Sequence, residues 1–146
     1  MKVLLLVLTF QTSGGLEIYT REVAAGLGRL GHEPEVWSFL ERPGQSELDG
    51  ISVRHFAPRL AALDPIHFRR LDARVSARVR EESASFDLVL CMHTMLAHAT
   101  HQALADTNLP YWIWTYGTDI WGQWSPRLAT ALEHAMKIVT ISQYTA

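Results

Sequence analysis

The sequence has little cysteine, little net charge and no long apolar run, and each shortage excludes a class of protein. Cys91 is the single cysteine among 146 residues, so the chain forms no internal disulfide, as expected in a reducing cytoplasm. The formal net charge is −2, whereas a general nucleic-acid-binding domain is usually strongly basic. No apolar stretch is long enough to span a bilayer. A composition of 48% hydrophobic and 19% charged residues predicts one globular domain with a sizeable core.

The amino-terminal segment also lacks the features of a secretory signal peptide. Its apolar run, 3–8, is short, and the Gln-Thr-Ser-Gly-Gly of 11–15 is not a small-residue cleavage site. An apolar run without polar alternation instead predicts a strand that is buried on both faces, as in a parallel sheet.

Strand-like and helix-like patterns alternate along the rest of the chain. Strands are predicted at 2–9, 34–39, 51–56, 86–92, 111–116 and 137–141, and helices from Leu16 to Leu30, over 64–82 and 95–106, and from Ser125-Pro126. The Pro-Gly-Gln-Ser of 43–46 is interpreted as a loop. These elements predict an α/β fold over 1–146, a doubly wound, mostly parallel Rossmann-like sheet with helices on both faces.

Polar and glycine residues follow the predicted strands, where such sheets bind ligands. Ligands lie outside the carboxyl ends of the strands, at the point where the strand order reverses. With the common order 3-2-1-4-5-6, that point falls between the first and fourth strands. The candidate site residues are therefore Gly14, Gly15, Glu17, His93, Tyr116, Gly117, Thr118, Asp119 and Ser142.

Gly14 and Gly15 stand between the first strand and the first helix. Glycine permits close backbone approach, and a helix N-terminus favours phosphate, so the pair indicates an anion site. A tight turn without a ligand, with Glu17 as an ordinary first-turn acid, is the alternative. The loop has neither G-x-G-x-x-G nor G-x-x-x-x-G-K-[ST], although Glu41 could imitate the ribose-binding acid of a dehydrogenase.

Histidines and arginines each allow a second interpretation. His93 suits a hydrogen bond to a sugar hydroxyl or acid–base chemistry, but also a satisfied position at a strand end. A metal site built from His93, His98 and His101 is a further alternative. The row Arg70, Arg74 and Arg78 on one helix indicates either a membrane-surface helix or a solvated face.

Several motifs together resemble the GT-B glycosyltransferases, specifically the large retaining group numbered family four. The resemblance rests on Gly14-Gly15-Leu16-Glu17 before the first helix and Gly31-His32-Glu33 before the second strand. It extends to FDLVLCMH around the fourth strand, YGTDIW after the fifth and IVTISQYT at the sixth. The motifs occur in the family's order, at the ends of the predicted elements, over the whole chain.

The resemblance implies that the chain is the N-terminal, acceptor-side domain of a two-domain enzyme of carbohydrate biosynthesis. Its donor would be a nucleotide-sugar and its acceptor a glycan, lipid or small molecule. A C-terminal donor-binding domain, absent from this chain, would bind most of the donor, so the fragment alone is expected to be inactive. No metal or other cofactor is implied, and the expected location is cytoplasmic, with peripheral contact at the inner membrane face as an option.

The resemblance also implies roles for individual residues. Gly14 and Gly15 match the loop near the donor diphosphate, and His93 matches a position near the sugars. Tyr116 stands where the family has a histidine close to the anomeric centre; a tyrosine donates a hydrogen bond but lacks imidazole chemistry. His93 and Tyr116 are therefore the catalytic candidates. A stand-alone non-catalytic acceptor-binding subunit and another Rossmann-like nucleotide-binding enzyme remain alternative functions.

Overall fold

A seven-stranded sheet forms the centre of the computed structural model, which describes residues 1–11, 14–41, 44–56, 65–117 and 119–141, with backbone only at 65–68. The strands are β1 (Lys2–Val7), β2 (Glu33–Ser38), β3 (Gly44–Leu48), β4 (Ile51–His55), β5 (Leu88–Cys91), β6 (Tyr111–Thr115) and β7 (Lys137–Thr140). The helices are α1 (Gly15–Arg29), α2 (Pro65–Glu82), α3 (Ala97–Leu104) and α4 (Pro126–His134). Short 3₁₀ turns cover Ser83–Ser85 and Thr94–Leu96.

The strand order is β3-β4-β2-β1-β5-β6-β7, and every pair except β3 with β4 is parallel. The six strands predicted from the sequence therefore lie in the order 3-2-1-4-5-6, with β3 added at one edge. The order reverses between β1 and β5, as the site prediction assumed. The predicted doubly wound α/β fold is confirmed.

Strand β3 corrects the prediction of a loop at 43–46. Its sequence, GQSEL, has no apolar alternation, because it is an edge strand that pairs only with β4. A two-residue turn joins β3 to β4, and both of its residues have positive φ, 53° at Asp49 and 79° at Gly50. Asp-Gly is a preferred pair for such a hairpin turn, so the dipeptide was the signal that could have revealed the strand.

The side chains of β1 alternate between two cores. Val3, Leu5 and Val7 pack with α1 residues such as Ala24 on one face of the sheet. Leu4 and Leu6 pack on the other face with buried residues of α2, α3 and α4, among them Leu71, Val75, Val79, Ala99, Ala103, Ala131 and Leu132. Helices thus cover both faces, and β1 is buried on both sides, as its unbroken apolar run predicted.

The arginine row of α2 lies on the side away from this core. Arg70 and Arg74 are exposed, while Leu71 and Val75 beside them are buried. Arg78 pairs with Glu82 through an i, i+4 salt bridge of 2.5 Å. Arg70 and Arg74 therefore lie on the exposed face of α2. Among the described residues, no helix is long and apolar enough to cross a membrane.

Two helix ends follow their predicted chemistry. Ser125 is the N-cap of α4, because its hydroxyl accepts the Leu128 N–H at 3.2 Å and Pro126 follows at the first helical position. The end of α1 is a Schellman motif: the His32 N–H donates to Leu27 O and the Gly31 N–H to Gly28 O, both at 3.0 Å. Gly31 has φ +80°, so it stops the helix where the sequence predicted.

Alanine substitution at Gly31 and at Gly28 is expected to change stability in opposite directions. A Cβ at Gly31 meets no atom within 4 Å, so the cost comes from its positive φ and is about 1–2 kcal/mol. Gly28 is helical and equally open, so Gly28→Ala should stabilise by about 0.5–1 kcal/mol. Urea unfolding of both variants measures the two changes. Destabilisation by Gly28→Ala, or none by Gly31→Ala, would contradict this account of the helix end.

Candidate active site

The sheet brings three separate loops to one edge. Neighbouring strands β1, β5 and β6 are parallel, so the residues that follow each of them lie side by side. The Gly14 loop, His93 and the Tyr116–Asp119 turn therefore share the carboxyl edge where the strand order reverses. Of the predicted site residues, Thr118 and Ser142 lie outside the described part of the chain.

Any restriction on the residue at Gly14 comes from the Glu17 side chain and not from backbone angles. As the N-cap residue it has φ −72° and ψ 159°, a conformation open to any residue. A Cβ at this position would stand 2.2 Å from Glu17 Oε2. Gly15 begins the helix, and a Cβ there would meet nothing within 4 Å. The carboxylate of Glu17 is thus folded back over the first turn of α1, against Gly14.

Glu17 is held in this position from β1. The Thr9 hydroxyl, just beyond the strand, donates to Glu17 Oε1 at 2.5 Å. A carboxylate at a helix N-terminus interacts favourably with the helix dipole, so this contact stabilises the loop between β1 and α1. Thr9 was not predicted as a site residue, although its place directly after an apolar strand was a signal of the same kind as His93.

His93 presents one ring nitrogen to the site in a defined protonation state. Its Nδ1 accepts the Met95 N–H at 3.1 Å, so the neutral ring carries its proton on Nε2 and is a donor there. Burial lowers the pKa of His93, while the carboxylates of Asp119 and Glu17 act in the opposite direction. Those two charges come from different loops, so the structure places both carboxylates near His93 at this edge of the sheet.

Asp119 has one occupied and one unoccupied carboxylate oxygen. Its Oδ1 accepts the Tyr116 N–H at 2.9 Å, which closes a turn in which Gly117 has φ +114°. Its Oδ2 is buried, and within the described chain no group donates a hydrogen bond to it. A buried carboxylate oxygen without a donor is costly, so this atom is a strong candidate to accept a ligand hydroxyl.

The Tyr116 side chain points toward α1. Its ring makes an edge contact with Tyr19, with centroids 6.1 Å apart, and its hydroxyl is sealed from solvent. Burial raises the pKa of Tyr116, and the nearby Thr20 hydroxyl partly opposes this rise. Thr20, however, donates its own hydrogen bond to Leu16 O, and its contact with Tyr116 lacks hydrogen-bond geometry, so the phenol has no partner among the described residues.

Two exposed indoles stand beside this edge. Trp121 is 63% exposed and Trp124 is 49% exposed. Both line a pocket of about 530 Å³ between the ends of β6 and β7 and helix α4, together with Ile120, Ile138 and Thr140. Flat aromatic faces next to hydrogen-bonding groups suit the stacking of a sugar ring.

Glu41 does not fit the role of a ribose-binding acid. Its carboxylate already accepts the Gln11 N–H and the Ser38 hydroxyl, each at 2.6 Å, and lies 3.1 Å from His55 Nδ1. Burial alone would raise the pKa of Glu41, but these hydrogen bonds outweigh it and hold the pKa below its usual value. The acid therefore ties the ends of β1, β2 and β4 together, which argues against the dinucleotide-binding alternative.

A metal centre of three ligands is likewise not formed. Among the residues that the structure describes, no three His, Cys, Asp or Glu side chains are arranged to hold an ion. The considered grouping of His93, His98 and His101 is therefore not supported.

Several solved structures have the same fold as this chain. The chain aligns with sucrose-phosphate synthase from Thermosynechococcus elongatus (TM-score 0.73, 14% identity, 94% of this chain and 42% of that one). It aligns with apo WaaB, a lipopolysaccharide outer core galactosyltransferase (TM-score 0.64, 14% identity, 99% of this chain and 40% of that one). A UGT transferase from Siraitia grosvenorii in complex with UDP also matches (TM-score 0.52, 14% identity, 80% of this chain and 28% of that one).

These likenesses show that the chain shares its α/β, Rossmann-like fold with part of several glycosyltransferases. No curated protein matches the chain in sequence. The family model of Glycosyltransferase Family 4, however, matches residues 13–146, and the chain belongs to that family. The chain spans about two fifths of the length of the first two structures it matches.

Neutralising Asp119 is expected to lower the pKa of His93 further. Burial already places this pKa below 6.5, and the Asp119 charge is the larger of the two influences that oppose burial. In Asp119→Asn the amide oxygen still accepts the Tyr116 N–H, so the turn is kept while the charge is lost. Titration of the His93 ring by NMR, assigned with His93→Gln, measures the shift.

Glu17→Gln is the matched comparison, with a smaller decrease expected. A wild-type midpoint at or above 6.5 would contradict the burial effect, and an unchanged midpoint in Asp119→Asn would show that this carboxylate does not act on His93.

Gly14→Ala is expected to destabilise the chain only while Glu17 is present. The new methyl group displaces the Glu17 carboxylate and so disturbs its bond to Thr9. A double-mutant cycle with Glu17→Ala should give an interaction energy of about 0.5–1 kcal/mol. Gly15→Ala, which meets no atom within 4 Å, is the control. Equal costs of Gly14→Ala with and without Glu17 would refute the steric explanation.

Proposed function

We propose that this domain binds the acceptor and forms part of the cleft in which a sugar moves from a nucleotide-sugar to that acceptor, with retention of configuration. A second, C-terminal domain of the full-length protein would bind most of the donor. The observation that carries the proposal is the convergence of the α1 N-terminus, His93 and Asp119 at one edge of the sheet. The helix offers backbone amides that bind an anion, and the neutral His93 ring offers a hydrogen-bond donor. Asp119 offers an acceptor oxygen that has no donor in the described chain.

The α1 N-terminus is suited to the departing diphosphate. The first amides of α1 have no partner within the helix, and the helix dipole adds partial positive charge. Negative charge grows on the diphosphate as the glycosidic bond breaks, and donors fixed in advance stabilise that charge without reorganisation. Glu17 lies against this first turn, so a bound phosphate requires its carboxylate to turn away from Gly14.

His93 and Asp119 are suited to sugar hydroxyls. A hydroxyl both donates and accepts, so one hydroxyl can accept from His93 Nε2 and donate to Asp119 Oδ2. Because burial keeps His93 neutral near pH 7, the ring contributes a hydrogen bond and no cationic charge. Any cationic partners of the diphosphate would come from the second domain, and the proposed reaction needs no metal.

Tyr116 would shape the site through its ring. Its hydroxyl is buried and its ring contacts Tyr19, so in this arrangement the ring would pack between β6 and α1 and the hydroxyl would be shielded from a substrate. The proposed acceptor surface extends toward Trp121 and Trp124. The proposed location is the cytoplasm, and the exposed Arg70 and Arg74 would allow peripheral contact with an anionic membrane.

Gly15→Pro in the full-length protein tests the role of the α1 amides. Proline is compatible with the first helical position, and Gly14 before it already has the extended backbone that a following proline requires. The substitution therefore removes one N–H while the helix is kept. We expect turnover to fall on the order of 100-fold, measured as nucleoside diphosphate release from a panel of nucleotide-sugars.

Gly15→Ala, which keeps the N–H, is the matched control and should retain turnover. Thermal unfolding of both variants separates catalysis from folding. Unchanged turnover in Gly15→Pro would count against the proposed role. A loss of turnover that unfolding of the variant accounts for would also count against it.

A further inference from the structure

Two histidines lie together at the opposite edge of the sheet from the candidate active site. His101 comes from the last turn of α3 and His134 from the last residue of α4. Their ring centroids are 4.8 Å apart, with the planes tilted by 44°. Both line a pocket of about 470 Å³ near the amino ends of β6 and β7, together with Asn108, Tyr111 and Met136.

The hydrogen bonds of this pair fix which ring nitrogens carry protons. His134 Nδ1 lies 2.9 Å from the carbonyl oxygen of Thr130, which only accepts, so this nitrogen carries a proton. The Tyr111 hydroxyl donates to Ala131 O at 2.9 Å, so its oxygen accepts from His101 Nδ1 at 3.1 Å. Each neutral ring is thereby left with a lone pair on Nε2.

Neither Nε2 has a hydrogen-bond partner in the described part of the chain. An imidazole whose other nitrogen donates to a carbonyl or a hydroxyl is the usual form of a metal-binding histidine, because that bond fixes the tautomer and the ring orientation.

The separation of the rings also suits one shared ion. With Zn–N bonds of about 2.0 Å and a near-tetrahedral angle, two imidazoles on one zinc have centroids about 5 Å apart. The observed 4.8 Å agrees with this spacing. The spacing of the two rings is therefore compatible with one shared ion.

We propose that His101 and His134 bind one divalent transition-metal ion of the zinc type through Nε2 of each ring, with water completing the coordination. Two imidazole ligands select borderline ions such as Zn²⁺ over hard ions such as Mg²⁺. The ion would join the ends of α3 and α4 on the far side of the sheet from the transfer site. It is a stabilising site and takes no part in sugar transfer.

The test is calorimetric titration of the tag-free 146-residue chain with Zn²⁺ and, separately, with Mg²⁺. We expect one Zn²⁺ per chain and no heat from Mg²⁺. Because the ion binds two helix ends of the folded chain, Tm should rise by about 5–10 °C when Zn²⁺ is about 100-fold above its Kd. His134→Ala should weaken binding at least about 10-fold, and His101→Ala equally.

His134→Ala is the more informative variant, because the ring is exposed and its one hydrogen bond in the described structure is to Thr130 of its own helix. His32→Ala, which removes a histidine near the end of α1, is the matched control and should leave binding unchanged. Zn²⁺ binding that is retained in His134→Ala, is lost in His32→Ala, or is absent from the wild-type chain would overturn the proposal.

Discussion

The burial of β1 on both faces is the constraint on which the rest of this domain depends. Its side chains enter two separate cores, so helices must cover both sides of the sheet. The chain continues to β2 on one side of β1 and returns to β5 on the other. The strand order therefore reverses at the carboxyl end of β1, which is where sheets of this kind bind ligands. The position of the candidate site is a consequence of how the core is divided.

Hydrogen bonds fix the side chains at this edge of the sheet but leave a buried oxygen of Asp119 without a donor in the described chain. Glu41 accepts hydrogen bonds from Gln11 and Ser38 and lies beside His55, so it joins the ends of three strands. Thr9 holds Glu17 against Gly14. Asp119, in contrast, uses one oxygen to close its turn and keeps the other buried without a donor in the described chain. Since a buried oxygen without a donor is costly, Asp119 Oδ2 supports the proposed binding role of this turn.

Much of the fold was predictable because long apolar runs and helical periodicity are local signals. The six predicted strands, the Gly31 stop and the Ser125 cap each depend on residues close in sequence, and all are confirmed. Strand β3 was missed because an edge strand with polar residues on both sides has no apolar pattern. The Asp49-Gly50 dipeptide was the only local indication of this strand. It predicts a hairpin turn and so implies a strand on each side of it.

The sequence alone determined the order of elements and the polar residues that follow each strand, because side-chain period and turn chemistry are local. Only the tertiary structure decided how those residues meet. It placed Glu17 and Asp119 near His93, turned the Tyr116 side chain toward α1, and used the Glu41 carboxylate in contacts between strand ends. It also paired His101 with His134. Such contacts join residues far apart in the chain, and their geometry is set by packing across the sheet, which no local pattern encodes.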